Sequence, residues 1–194
     1  MIDKNDITGI ILAGGKSSRM GTDKGFLSHN GKHFVQHSID ALKSLTSEII
    51  IVSDHEAYDI FGLKRVTDNI KNAGPLAGIC SGLQHSKTEY NLILSCDIPL
   101  ITSEVLKKLV DAVDSTSDIV QTESNGKSMP LVALYKTACA RKLNALFQTD
   151  ERRLRVAVSH FNVKTVSLNI EEQKTTMNVN TKEEFKQIEN EHNH

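Results

Sequence analysis

The sequence predicts an α/β protein with a doubly wound, mostly parallel sheet, and three features carry that expectation. Residues 8–13, 48–53 and 90–95 are short apolar runs, rich in Ile, Leu and Val and without alternation, as strands covered on both faces should be. Val35, Ile39, Leu42 and Leu45 recur at helical spacing between the first two runs, and Leu106, Leu109, Val110 and Val113 do so after the third. The third feature is the alternation of strand and helix, which with right-handed crossovers lays helices on both faces of the sheet in a Rossmann-like arrangement.

The second half is less regular. Strands are expected at 118–122, 129–135 and 163–168, and helices near 137–148 and 152–160, which makes a mixed sheet the natural reading there. The last helix has a local start signal: Thr181 is followed three residues later by Glu184, a capping box that leads into Phe185 and Ile188. With 194 residues, no internal repeat and only three prolines, the chain reads as a single domain over 1–194, with frayed ends at 1–6 and 191–194.

Lys and Arg number 23 against 24 Asp and Glu, a formal net charge of -1, so no global basic field points to nucleic acid. The polar start Met1-Ile2-Asp3-Lys4-Asn5-Asp6 is unlike a signal peptide, and no run is long enough to span a bilayer, so the expectation is a cytoplasmic protein without a membrane partner. Cys80, Cys96 and Cys139 are odd in number and widely spaced, which argues for reduced core thiols over a disulfide framework or a zinc site.

The chemistry is concentrated where apolar runs end. After Ile10-Ile11-Leu12-Ala13 the chain breaks at Gly14-Gly15 into a loop carrying Lys16, Arg19 and Lys24. Small residues let backbone N–H groups approach an anion, and three nearby cations suit a triphosphate. A P-loop does not fit, because the glycine it needs five positions before Gly15 is Ile10; nor does a Gly-x-Gly-x-x-Gly fingerprint start at Gly14 or Gly15.

The third run ends in Ser95-Cys96-Asp97-Ile98-Pro99, which puts Asp97 at a strand end, where ligands of open α/β sheets bind. One carboxylate there is enough for Mg2+, since nucleotide phosphates and waters complete its shell; the alternative is a turn cap. Asp68 follows a shorter apolar stretch and could serve a ribose, a metal or a turn. Gly74-Pro75-Leu76-Ala77-Gly78 opens a helix with Pro75 in its first turn, either to let a ligand approach or as a simple tight turn.

Taken in order, Leu12-Ala13-Gly14-Gly15 with Arg19-Met20-Gly21 and Asp23-Lys24, then Gly74-Pro75-Leu76-Ala77-Gly78, Cys96-Asp97-Ile98-Pro99 and Asn178-Val179-Asn180-Thr181 resemble the molybdenum cofactor guanylyltransferases. The resemblance implies a nucleotidyltransferase-type fold and transfer of GMP from GTP to molybdenum-loaded molybdopterin, with release of pyrophosphate. It implies that Leu12, Ala13, Gly14 and Gly15 line the GTP site together with Asp68, Gly74, Pro75 and Leu76. Lys24 would hold phosphates, Asp97 would ligate Mg2+, and Arg19 would serve the leaving pyrophosphate.

By the same resemblance Asn178 and Asn180 lie on the pterin side. Arg152, Arg153 and Arg155 would either anchor the pterin phosphate or form a solvated helix face. Transient contacts with cofactor-biosynthesis proteins and molybdoenzyme chaperones are implied as well. Many relatives carry proline after the Asn-x-Asn-Thr segment, where this chain has Lys182. The rival readings are a nucleotidyltransferase using CTP or another phosphorylated acceptor, and a non-catalytic nucleotide-binding adaptor, which would have no need of Asp97.

Overall fold

The computed structural model describes residues 2–13, 23–68, 74–149 and 151–191. Strand β1 (Ile7–Leu12) leads to a short hairpin of β2 (Ser28–His29) and β3 (Lys32–His33), then α1 (Phe34–Lys43), β4 (Glu48–Val52) and β5 (Lys64–Val66). There follow α2 (Pro75–His85), β6 (Tyr90–Ser95), α3 (Ser103–Asp111), β7 (Ile119–Ser124), β8 (Lys127–Lys136), α4 (Cys139–Gln148) and α5 (Leu154–Val158). The chain ends with β9 (Val163–Ser167), α6 (Ile170–Thr175) and α7 (Lys182–Glu191).

Among the described residues seven strands form one sheet in the order β5-β4-β1-β6-β8-β7-β9. Strands β5, β4, β1 and β6 run parallel, β8 is antiparallel to both of its neighbours, and β9 pairs parallel with β7. The expected doubly wound sheet with a mixed second half is thus present. Alternate residues of β1 serve opposite cores: Ile7 and Ile11 pack with α1 and α3, whereas Ile10 and Leu12 pack with α2, α4 and α5. Both faces are therefore dry, which explains the unalternated apolar runs. Helix α2 lies so close to β1 that a Cβ on Gly82 would come within 2.6 Å of Ile10 Cγ2.

Four details differ from expectation. The amino end, read as loose over 1–6, forms a 3₁₀ turn at Lys4–Asp6, because the Asp3 carboxylate accepts from Asn5 N. The helix expected over 152–160 is confined to α5, since Glu151 takes the Arg153 N–H and leaves Arg153 extended as the cap. Helix α6 and the β2–β3 hairpin were not foreseen. The hairpin turns on Asn30-Gly31, both with positive φ, as does the β7–β8 connection on Asn125-Gly126.

Helix α7 starts as its sequence predicts. Thr181 Oγ1 accepts from Glu184 N at 3.1 Å, while the Glu184 carboxylate accepts from Thr181 N at 2.9 Å and from Asn180 N at 2.5 Å. A small third core, in which Phe34, Val179 and Ile188 are buried with Phe185 and Met177 against them, seats α7 and its preceding segment on the start of α1.

Candidate active site

Pairing register sets the carboxyl ends of four strands level. Val66 of β5 pairs with Val52 of β4, Val52 with Leu12 of β1, and Leu12 with Ser95 of β6. The ladder runs one residue further, with Ser53 N donating to Val66 O, Ala13 N to Val52 O and Cys96 N to Leu12 O. Asp68, Ser53, Ala13 and Asp97 therefore line one edge, and three strand spacings put the β5 end about 14 Å from the β6 end. Chain order reverses at β1, because β1 leads outward to β4 whereas β5 leads back across to β6. That switch point is where open α/β sheets bind ligands.

At the β6 end, three segments far apart in sequence converge. Lys24 Nζ donates to Asn180 Oδ1 at 2.6 Å and stands 3.8 Å from Asp97 Oδ2. The Lys24 and Asp97 side chains are 19% and 17% exposed, sheltered but reachable. Val179 N donates to Asp97 O at 2.8 Å, which ties the Asn178–Asn180 segment to the β6 end. The other carboxylate oxygen, Asp97 Oδ1, is buried and has no hydrogen-bond partner among the described residues. An orphaned carboxylate oxygen fits a cation ligand better than a turn cap, which would accept from a backbone N–H. Among the described residues no three His, Cys, Asp or Glu gather as a metal cluster.

Lys24 sits on a 3₁₀ turn, Lys24–Phe26, capped by Asp23, whose Oδ1 accepts from Gly25 N at 3.0 Å and from the Tyr58 hydroxyl at 2.7 Å. Beneath the pair lies the buried Cys96; burial, then the charges of Asp97 and Asp23, push its thiol well above the ordinary range. At the other end of the edge, Asp54 Oδ1 accepts from Asp68 N at 3.1 Å, and Ser81 Oγ of α2 donates to Asp68 Oδ1 at 3.5 Å. Gly74, with φ 75°, precedes Pro75 at the first position of α2, and Leu76 is buried in the α2 core. Gly14, Gly15, Lys16 and Arg19, expected to bind phosphates, lie outside the described residues.

Beyond β6, a groove of about 1130 Å³ opens between the start of β8, α5 and α6, bounded by Pro75, Ile98, Asn178 and Glu184 at its edge-ward end. Because β8 is antiparallel, its first residues, 127–131, stand beside the carboxyl end of β6. Lys127, Arg153, Arg155 and Lys174 line the groove among apolar Met129, Leu131, Leu154 and Met177. Arg155 also donates to Ser128 O at 3.2 Å, bracing α5 against β8. Arg152 faces elsewhere, stacking its guanidinium 3.9 Å from the Phe147 ring centroid and donating to Phe147 O. Of the three arginines, Arg153 and Arg155 line the groove, whereas Arg152 lines only a neighbouring hollow that Arg153 also borders.

A MobA-like NTP transferase domain model matches residues 9–165. The chain belongs to that family. Probable molybdenum cofactor guanylyltransferases of Flavobacterium johnsoniae and Bacillus cereus are each 34% identical to it; the first match covers 94% of this chain and 96% of the relative, the second 93% and 94%. The family resemblance seen in the motifs therefore holds along nearly the whole chain, and the protein is a nucleotidyltransferase by family. The solved structure of the Archaeoglobus fulgidus molybdopterin-guanine dinucleotide biosynthesis protein A shares the fold, with a TM-score of 0.81, 21% identity, and coverage of 96% and 98% of the two chains.

Asp23, Tyr58 and Asp54 were missed as supports of the site. Asp23 and Asp54 each follow a loop signal in the sequence, but nothing local distinguishes Tyr58 from an ordinary core aromatic. Among the described residues no helix is long and apolar enough to cross a membrane.

Proposed function

We propose that this nucleotidyltransferase transfers GMP from GTP to molybdenum-loaded molybdopterin, forming the guanine dinucleotide cofactor and releasing pyrophosphate. The observation that carries the reading is the meeting of Lys24, Asp97 and Asn180, assigned separately to phosphates, metal and pterin, within 2.6 to 3.8 Å at the switch point. The names of the curated relatives support guanine and molybdenum cofactor as the substrates.

Nucleoside lies along the β5–β1 edge, with Asp68 as hydrogen-bond acceptor for the ribose or base, and the triphosphate reaches Lys24. The span of about 14 Å suits an extended nucleotide. The anionic acceptor enters the cationic groove beyond β6, with Asn178 at its inner end and Arg153 and Arg155 on its wall. An oxygen of the acceptor phosphate attacks the α-phosphorus in line; the bond from that phosphorus to the bridging oxygen breaks, and pyrophosphate takes the electron pair.

Lys24 neutralises charge on the phosphates, Asn180 holds the Lys24 amine between the two substrates, and catalysis is positioning plus electrostatics without a protein nucleophile. Mg2+, held through Asp97 with the remaining oxygens from phosphates and water, would supply charge neutralisation at the α-phosphate.

The test is transfer by the purified protein with Mg2+ and molybdenum-loaded molybdopterin, offering GTP and CTP in parallel and identifying the nucleotide released on product hydrolysis. Transfer from GTP alone is expected. Transfer from CTP overturns the base assignment, and GTP binding without transfer from either points to another acceptor or to the adaptor.

A further inference from the structure

Tyr58 is wholly buried, yet it comes from a 3₁₀ turn, Glu56–Phe61, that no motif marks. Its hydroxyl donates to Asp23 Oδ1 at 2.7 Å, and the same oxygen accepts from Gly25 N at 3.0 Å, so the carboxylate is gripped on both sides of Lys24. Gly25 lies flat on the phenol: a Cβ there would come within 2.1 Å of the Tyr58 oxygen. The ring is fixed in turn by Phe26, at a centroid distance of 4.7 Å, and by Phe61 at 6.2 Å. Burial, then the neighbouring Cys96 thiol and the hydrogen bond to Asp23, push the phenol far up, so it remains a proton donor at any working pH.

We infer that Tyr58 is a positioning residue for the phosphate-binding lysine: by holding Asp23 it fixes the backbone from which Lys24 reaches toward Asp97 and Asn180. The inference rests on the reading of Lys24 as a triphosphate contact. A lysine has a long, flexible stem, and the geometry of its ammonium group depends on where its Cα is held.

The experiment is equilibrium titration of GTP, CTP and guanosine against wild type, Tyr58→Phe, Lys24→Ala and the double variant, each checked for fold by circular dichroism. Tyr58→Phe keeps the ring and its packing. It should weaken GTP about tenfold, the scale of one hydrogen bond to a charged group, and leave guanosine unchanged. In the Lys24→Ala background it should cost nothing further, because its effect passes through Lys24.

Undiminished GTP binding by Tyr58→Phe, or the same loss with and without Lys24, overturns the inference and leaves Tyr58 as ordinary core. Should Tyr58→Phe not fold, Asp23→Ala breaks the link from the other end and must show the same loss for GTP with guanosine spared; equal losses for both ligands overturn it. Wild type that binds neither triphosphate removes the nucleotide reading itself, and this inference with it, an outcome visible before any variant is compared.

Discussion

The two sides of the site are built in different ways. Along the β5–β1 side, the edge is backbone: the parallel strands β5, β4 and β1 end level, and Ser53, one residue past β4, and Asp68, two past β5, carry the polar groups. On the β6–β8 side, the groove is side chain, assembled from β8, α5, α6 and the segment before α7, elements that come together only late in sequence. The first construction needs little beyond register and so leaves compact motifs. The second needs tertiary packing, and its cations are scattered among ordinary surface residues.

The comparison breaks most sharply at the residue that stands on the boundary. Asp97→Ala should reduce kcat by about two to three orders of magnitude while leaving the circular dichroism spectrum unchanged, because its Oδ1 has no described partner to lose. Steady-state kinetics with a thermal melt checks both halves, and full activity would remove Asp97 from the metal site. Lys24→Ala should weaken GTP by about 1.5–3 kcal/mol, the contribution of a charge-assisted contact, as read by titration. Asp68→Ala should raise the KM for GTP and spare that for the acceptor.

The groove sharpens the same contrast from the other direction. Arg155→Ala should raise the acceptor KM by roughly tenfold and leave GTP affinity unchanged, which substrate-by-substrate kinetics will read. An equal effect on both substrates would mean that the two sides are not separate.

The smallest expected effect is on the core thiols. Cys80 is buried on α2, and burial together with the nearby Asp68 charge pushes its thiol up to about 11. The folded thiol thus stays protonated at pH 8, and its stabilising share is whole below the unfolded value of about 8.5 and fades as pH climbs toward 11. Alkylation at pH 8 followed by mass spectrometry should find Cys80, Cys96 and Cys139 unmodified until denaturant is added, since all three are free and buried.

What could be read from the sequence follows the same division. Strands β1, β4 and β6 announced themselves because burial on both faces demands unbroken Ile, Leu and Val, and Asp97 was found because it follows such a run. Helix α6 was missed although Asn169 and Glu172 form a capping box there, the same signal that revealed α7. Its body, Ile170 followed by Glu171, Glu172, Gln173 and Lys174, has no apolar stripe, and Ile170 itself is exposed. The helix is held from outside, by its cap and by the Lys108–Glu172 ion pair to α3.

The Asn30-Gly31 and Asn125-Gly126 turns were equally available in the chain, and reading them would have extended β7 and β8 to their observed ends. Lys182 is the first residue of α7, and the Thr181–Glu184 box already satisfies the helix's first turn. The Tyr58–Asp23 link could not be read, since the partners lie 35 residues apart and nothing local distinguishes Tyr58 from an ordinary core aromatic.

The central claim is that donor and acceptor occupy opposite sides of the Lys24–Asp97 pair, and a crystal structure with a non-hydrolysable GTP analogue and Mg2+ tests it most directly. The account predicts the nucleoside along the β5–β1 edge within hydrogen-bonding distance of Asp68, the phosphates at Lys24, the cation on Asp97 Oδ1, and the groove of Lys127 and Arg155 left open. A nucleoside seated in that groove, or a cation held away from Asp97, would contradict it.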